Sequence, residues 1–333
     1  MKPVHQHGGQ LRLASEKYGI PLPEWLDLST GISPFVYPLP EVPLSCWQRL
    51  PETGDGLEAA AASYYGSDYL LPVSGSQEAI QRLPLLRTQS RVGIISPAYH
   101  SHQQAWVNAG HQVSGLVTAN IDEKLAELDV LLLVNPNNPT TEYFSREQLL
   151  HWHQQLASRG GWLVVDEAYM DCQPDGGLIQ SQPLAGLIVL RSVGKFFGLA
   201  GIRLGFVWAD AELLQALVAL QDDWSVSHPA RWAGRLALAD AYWQQQQRER
   251  LIHSGQRLKD MVQAAYPDAL VKATALFVYC RLPTARMEFE RLASAGVLLR
   301  YFAEPAALRF GLPETEADWA RLAGLIGVNQ YAG

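Results

Sequence analysis

The chain has 333 residues, of which 48% are hydrophobic and 18% charged, a balance that fits about two folded domains and excludes a disordered protein. Its formal net charge of −7 argues against a nucleic-acid-binding surface. The N-terminus has no apolar signal core and no stretch reaches the roughly 18 apolar residues of a membrane span, so a cytoplasmic protein with no membrane partner is expected.

Residues 21–51 are rich in proline and read as an arm rather than as part of a core. From there the chain alternates helical patterns with short runs of Val, Ile and Leu. Helices are predicted near 75–86, 99–109 and 145–158, and buried strands at 91–96, 129–134, 161–166, 186–192 and 204–209. That alternation implies an α/β fold, a mostly parallel sheet sandwiched by helices. Beyond residue 210 the pattern changes to helices near 210–221, 228–241 and 243–265, the last carrying the run "QQQQ" as a solvated face. Strands at 276–280, 297–301 and 307–311, mixed with helices near 284–295 and 314–327, suggest a smaller α+β C-terminal domain. The expected division is an arm at 1–30 that packs near the small domain and the candidate site, a large domain at 31–225 and a small one at 226–333.

In open α/β sheets ligands bind outside the carboxyl ends of the strands, and the unusual residues fall there. "VVDEAY" ends a strand with Asp166, and Tyr169 follows three residues on. "LLLVNPNNPT" leads to Asn138, "IISPAYHSH" to Tyr99 and His102, and "VLRSVGK" to Ser192 and Lys195. Lys195 is a lone amine among apolar and small residues. Such surroundings lower a lysine's pKa and leave a free amine able to form a Schiff base, although most lysines are simply solvated. "LPVSGSQEAI" opens a helical pattern at Gly75 and Ser76, a suitable seat for a phosphate as well as an ordinary helix cap. Cys46, Cys172 and Cys280 are far apart and form no C-x-x-C pair, so neither disulfides nor a metal cluster is expected.

Together "SGSQ", "PAYHSH", "NPNNPT", "VDEAY" and "SVGKFFGLAGIRLG" resemble the fold type I, aspartate-aminotransferase-like pyridoxal-phosphate enzymes, in the family's order and over nearly the whole chain. The resemblance implies pyridoxal 5'-phosphate as cofactor and Lys195 as the lysine that binds it covalently. It implies Asp166 on the pyridine nitrogen with His102 supporting it, Tyr169 and Asn138 on the ring hydroxyl, and Tyr99 stacked on the ring. Gly75, Ser76, Ser192 and Arg203 would hold the cofactor phosphate, and Arg309 in "ALRFG" the substrate carboxylate. A homodimer with the active site at the subunit interface is implied as well.

Within the superfamily, fold cannot choose the reaction. "HGGQ" followed by "DLSTGISP" is similar to the N-terminus of the L-threonine-O-3-phosphate decarboxylases of cobalamin biosynthesis. That similarity implies His7, Gly8, Gly9, Gly31 and Asn138 as substrate contacts, with Arg300 in "VLLRYF" as a second arginine for the substrate phosphate. Leu50 stands where cousins carry a tyrosine, and Gln10, Gly31 and Ser33 replace asparagines common in these motifs. The alternative is a histidinol-phosphate or other class I/II aminotransferase. A regulatory cofactor-binding protein would be expected to carry a DNA-binding module, and a dinucleotide-binding enzyme would need a G-x-G-x-x-G after its first strand. Neither is expected here.

Overall fold

The computed structural model describes residues 7–328. In chain order the strands are β1 (Leu26–Asp27), β2 (Leu70–Val73), β3 (Arg91–Ile95), β4 (Gln112–Leu116), β5 (Val130–Val134), β6 (Trp162–Asp166), β7 (Leu187–Ser192), β8 (Gly205–Trp208), β9 (Leu270–Ala273), β10 (Phe277–Arg281), β11 (Val297–Leu298), β12 (Arg300–Phe302) and β13 (Ala307–Gly311). The helices are α1 (Leu11–Tyr18), α2 (Leu44–Gln48), α3 (Leu57–Tyr65), α4 (Ser76–Arg82), α5 (His100–Asn108), α6 (Ile121–Lys124), α7 (Arg146–Ala157), α8 (Val193–Phe196), α9 (Ala211–Leu220), α10 (His228–Ala239), α11 (Ala241–Ala265), α12 (Ala285–Ser294) and α13 (Glu316–Ile326). Two compact units result. One holds the described residues up to Val36 and from Gln246 onward, and the other is Tyr37–Gln245.

The Tyr37–Gln245 unit is built on a seven-stranded sheet of order β2-β8-β7-β6-β5-β3-β4. β8 runs antiparallel to both of its neighbours, and every other pairing is parallel. Every residue of β5 and β7 is buried, as strands covered on both faces require. Alternate side chains feed two cores. Val130, Leu132, Val164 and Ile188 pack with Trp106 of α5, while Leu131, Leu133, Val165 and Val189 pack with Trp152 of α7. Each such aliphatic side chain contributes about 1.5–3 kcal/mol on burial. Helix starts are set by side chains that accept backbone N–H groups: Ser145 for α7, Asp210 for α9 and Ser227 for α10.

The other unit contains a four-stranded antiparallel sheet, β12-β13-β10-β9, and a parallel pair of β1 with β11. The proline-rich start is less irregular than its composition suggests. The Leu28 N–H donates to the Leu298 carbonyl and the Gly311 N–H to the Leu28 carbonyl, so this segment is bonded to both β11 and β13. Gly311 has to be glycine, because a Cβ there would lie 2.4 Å from the Thr30 carbonyl oxygen. The run expected as one strand at 297–301 breaks at Leu299, and its two halves join different sheets.

Two further expectations change. The division between the units falls inside α11 rather than near residue 225, because α10 packs on α3: Arg231 bonds Asp55 and Glu58, each at 2.7 Å. Gly234 gives the close approach, since a Cβ there would sit 3.1 Å from Leu57. The glutamine run is only half solvated. Gln244 and Gln247 are buried. Gln244 Nε2 donates to the Ala237 and Leu238 carbonyls at the end of α10, and Gln247 Nε2 to Ser33 Oγ and the Phe35 carbonyl.

Candidate active site

The candidate residues fall in both units, and each set is built up within its own. In the Tyr37–Gln245 unit, register aligns the strand ends. Asp166, the last residue of β6, pairs with Val134 and Leu190, while Ser192, the last of β7, pairs with Gly205, which in turn faces Val73 at the end of β2. The predicted cofactor residues therefore share one edge of the sheet.

Asp166 is 4% exposed. Its Oδ2 lies 2.9 Å from His102 Nε2, and its Oδ1 accepts the Ala168 N–H at 3.0 Å. His102 is itself buried, on α5 one turn from Tyr99, and the two rings meet edge to face. The Tyr99 hydroxyl donates to Gln77 Oε1, and burial raises its pKa. Lys195 sits on α8 directly after β7, half-buried, with Nζ 5.9 Å from the centre of the buried Tyr169 ring. Asn138 lies in the turn after β5 beside Asn137, whose Nδ2 donates to the Pro97 carbonyl and to Thr140 Oγ1.

Gly75, Ser76 and Arg203 crowd together beside the end of β7. Gly75 has φ +68°, and a Cβ on it would lie 2.6 Å from Arg203 Nη2. A Cβ on Gly205 would lie 2.7 Å from the Ser76 nitrogen. Arg203 itself adopts φ +55°, an uncommon conformation for a side-chain-bearing residue, and Nη1 donates to the Ala200 carbonyl. The Arg203 guanidinium and the Ser76 backbone nitrogen thus border positions 75 and 205, where no side chain could fit, and the Arg191 carbonyl oxygen also lies 2.7 Å from a Cβ at 205.

Behind these residues lies a charge cluster that the sequence reading missed. Arg191 donates to Glu167 Oε2 at 2.8 Å and to Asp171 Oδ1 at 2.6 Å, all three side chains being at most 5% exposed. Glu167 Oε1 accepts the Leu178 N–H, Tyr64 donates to Asp171 Oδ1, and the Arg191 guanidinium lies 4.8 Å from the centre of the Tyr65 ring. Burial pushes the Glu167 carboxyl up. Burial works against the Arg191 charge too, but Asp171 and Glu167 more than offset it and raise its pKa. The available signal was the arginine inside "LIVLRS", an otherwise apolar strand.

In the other unit, Arg300 and Arg309 are directly opposed partners on β12 and β13. Burial, with the Arg309 charge beside it, pushes Arg300 down to about 10, which still leaves it cationic at neutral pH. Bringing an anion to such a pair relieves both costs. His7, Gly8 and Arg300 line one cavity of about 580 Å³ together with Lys17, Ser29 and Tyr301. Gly9, at φ +79°, donates its N–H to Ser29 Oγ. Arg309 does not line this cavity. It is 6% exposed, and its Nη2 donates to the Ser29 carbonyl at 2.6 Å. Gly31 is buried and lies outside that lining as well.

Among the described residues no group of three or more His, Cys, Asp and Glu could hold a metal, and no helix is long and apolar enough to cross a membrane. The three cysteines are buried and none of them forms a disulfide.

The chain matches the model of the family "Aminotransferase class I and II" over residues 50–324. It is 50% identical over 329 residues to the threonine-phosphate decarboxylase of Pseudomonas aeruginosa, an alignment covering 98% of this chain and 99% of that one. Solved structures similar in fold include histidinol-phosphate aminotransferase from Sinorhizobium meliloti in complex with pyridoxal-5'-phosphate (TM-score 0.78, 21% identity, 96% of this chain and 94% of that one). L-threonine-O-3-phosphate decarboxylase from Porphyromonas gingivalis is also similar (TM-score 0.75, 19% identity, 90% of this chain and 98% of that one). At such identities the structures speak for the fold. The mostly parallel sheet and the match across most of the sequence speak for descent, and the chain belongs to the aminotransferase class I and II family.

Proposed function

We propose that this protein is a pyridoxal-phosphate-dependent lyase that decarboxylates L-threonine O-3-phosphate to (R)-1-amino-2-propanol O-2-phosphate, in cobalamin biosynthesis. The observation that carries the reading is full-length relationship to a threonine-phosphate decarboxylase at 50% identity. The residues present fit the cofactor: a Cβ on Gly75 would meet the Arg203 guanidinium and one on Gly205 the Ser76 backbone nitrogen, two donors suited to a phosphate, and a carboxylate and a lysine stand at the same ends of the strands.

In this reading Gly75, Ser76, Ser192 and Arg203 hold the phosphate of the cofactor, and Tyr99 covers one face of its ring. Asp166 keeps a proton on the ring nitrogen, with His102 fixing the carboxylate's orientation. Tyr169 and Asn138 bond the ring hydroxyl. When bound, the cofactor supplies an electron sink for the pair released at the substrate's α-carbon. Lys195 holds the cofactor between turnovers and returns a proton to the α-carbon once carbon dioxide has left.

Arg309 binds the substrate carboxylate and Arg300 its phosphate, with His7, Gly8, Gly9 and Gly31 completing the phosphate side. Holding both anionic ends sets the torsion about the α-carbon, and that torsion decides whether the carboxylate or the hydrogen leaves. Leu50 is 60% exposed and has no hydroxyl to offer a neighbouring subunit. The protein acts as a cytoplasmic homodimer in this reading, which sedimentation tests directly: a chain that sediments as a monomer would sink the dimer.

The deciding assay incubates cofactor-loaded protein with L-threonine O-3-phosphate and no keto acid. Equal amounts of carbon dioxide and aminopropanol phosphate are expected. No release, with turnover of histidinol phosphate once 2-oxoglutarate is added, would instead make the protein an aminotransferase.

A further inference from the structure

Ser29 is 2% exposed and every polar atom it has is committed. Its N–H and its hydroxyl both donate to Asp27 Oδ1, at 2.9 and 2.6 Å. Its Oγ accepts the Gly9 N–H at 2.8 Å, and its carbonyl accepts Arg309 Nη2 at 2.6 Å. Gly8 lies against that same carbonyl, since a Cβ on it would fall 2.3 Å from the oxygen. One residue therefore ties the glycine pair next to His7 to the guanidinium of Arg309.

We propose that Ser29 is a positioning residue for the substrate, a role that rests on the decarboxylase reading of Arg309 and of the His7–Gly9 segment. Asp27 fixes the orientation of the Ser29 peptide by taking both donors on one oxygen. That fixes the carbonyl, which holds one nitrogen of Arg309 and leaves the guanidinium a single plane in which to meet a carboxylate. The Oγ sets the Gly9 amide, and with it the loop that carries His7 into the cavity shared with Arg300. The spacing of Arg300 and Arg309 comes from their pairing across β12 and β13, while Ser29 sets the plane of the Arg309 guanidinium and the placement of the His7–Gly9 loop, which makes Ser29 a determinant of how the substrate is seated between them.

The test compares Ser29→Ala, Ser29→Cys and Ser29→Thr in the cofactor-loaded protein. Loss of a buried hydrogen-bonded hydroxyl predicts about a tenfold rise in KM for threonine phosphate in Ser29→Ala. Its kcat and the visible absorbance of the bound cofactor are expected to stay near wild type. Ser29→Thr, which keeps the hydroxyl, restores KM. Ser29→Cys, similar in size with a weaker donor, falls between and replaces the alanine variant should that one not fold. A purely structural defect would lower the active fraction, and hence kcat, and leave KM alone. A KM that does not move, or a loss confined to kcat, overturns the proposal. Hydrogen exchange supplies a readout that does not depend on the substrate: the peptide containing Gly9 is expected to exchange about tenfold faster in Ser29→Ala. Unchanged exchange overturns the proposal even if another substrate proves correct, whereas failure of wild type to release carbon dioxide removes the decarboxylase reading and leaves the exchange result to decide on Ser29.

Discussion

Gly75 and Lys195 show how much a single position can carry. At Gly75 both the left-handed backbone and the 2.6 Å approach of the Arg203 guanidinium exclude a methyl group. Gly75→Ala is therefore expected to push Arg203 away and weaken cofactor affinity by at least about tenfold, given strain of roughly 1–3 kcal/mol at such sites. Cofactor titration followed by absorbance measures this, and unchanged affinity would remove the pair from the phosphate site. Lys195→Ala is expected to abolish the visible band of lysine-bound cofactor and to cut turnover by at least about a hundredfold, as loss of a proton-transfer group implies. Normal turnover in that variant would end the assignment. Both residues were legible in the sequence, because a lone lysine and an S-G-S triplet at strand ends are uncommon chemistry in uncommon places. Ser29 was not. Its importance lies in its carbonyl and in what that carbonyl touches, 280 positions away in Arg309, and no residue type advertises a carbonyl.

Among elements, the central strands were legible because a strand covered on both faces must be apolar throughout. The edge strands β2 and β4 were not. β2 carries Pro72, and β4 reads "QVSGL", with most of its residues exposed or half-exposed, so neither shows the apolar run that sheet centres require. The Arg191 cluster ties β7, through Arg191, to the segment that follows β6, through Glu167 and Asp171. Each is within two residues of a candidate cofactor contact. Arg191→Ala leaves two buried carboxylates without their cation, and breaking such a pair costs about 3–5 kcal/mol. The cost depends on pH in a definite direction. Burial already raises Glu167 above its unfolded value, so the native state binds more protons than the unfolded state between those values, and its contribution to stability falls as pH rises through that window. Removing Arg191 extends the window upward. Urea unfolding at pH 7.5 and pH 5.5 is expected to show a smaller penalty for Arg191→Ala at the lower pH. An equal penalty at both would mean that the carboxylates are not what the arginine neutralises.

For the whole molecule, the α/β core followed by a smaller α+β region followed from periodicity, but the allocation of residues to the two units did not. An arm near the small domain was expected, but not the strand pairing that joins the described residues up to Val36 to the unit holding Gln246 onward: β1 pairs with β11 across some 270 positions, and single-sequence patterns carry no trace of such a register. In the proposed function the consequence is a division of labour between the candidate residues. Every candidate cofactor contact, from Gly75 to Arg203, belongs to the Tyr37–Gln245 unit, whereas Arg300, Arg309 and the His7–Gly9 segment belong to the other. Ligands that bind only the native state stabilise what they touch, by about 2.7 kcal/mol at a free concentration of 100 Kd. Adding pyridoxal phosphate to the cofactor-free protein is therefore expected to slow hydrogen exchange at the ends of β6 and β7 and in the turns at 74–77 and 136–142. Exchange in β12 and β13 should hardly change. Adding L-threonine O-3-phosphate afterwards should protect β12, β13 and the segment after His7, with a smaller further effect around Asn138. Protection of β12 and β13 by the cofactor alone would contradict this division, because it would mean that the two arginines answer to the cofactor rather than to the substrate.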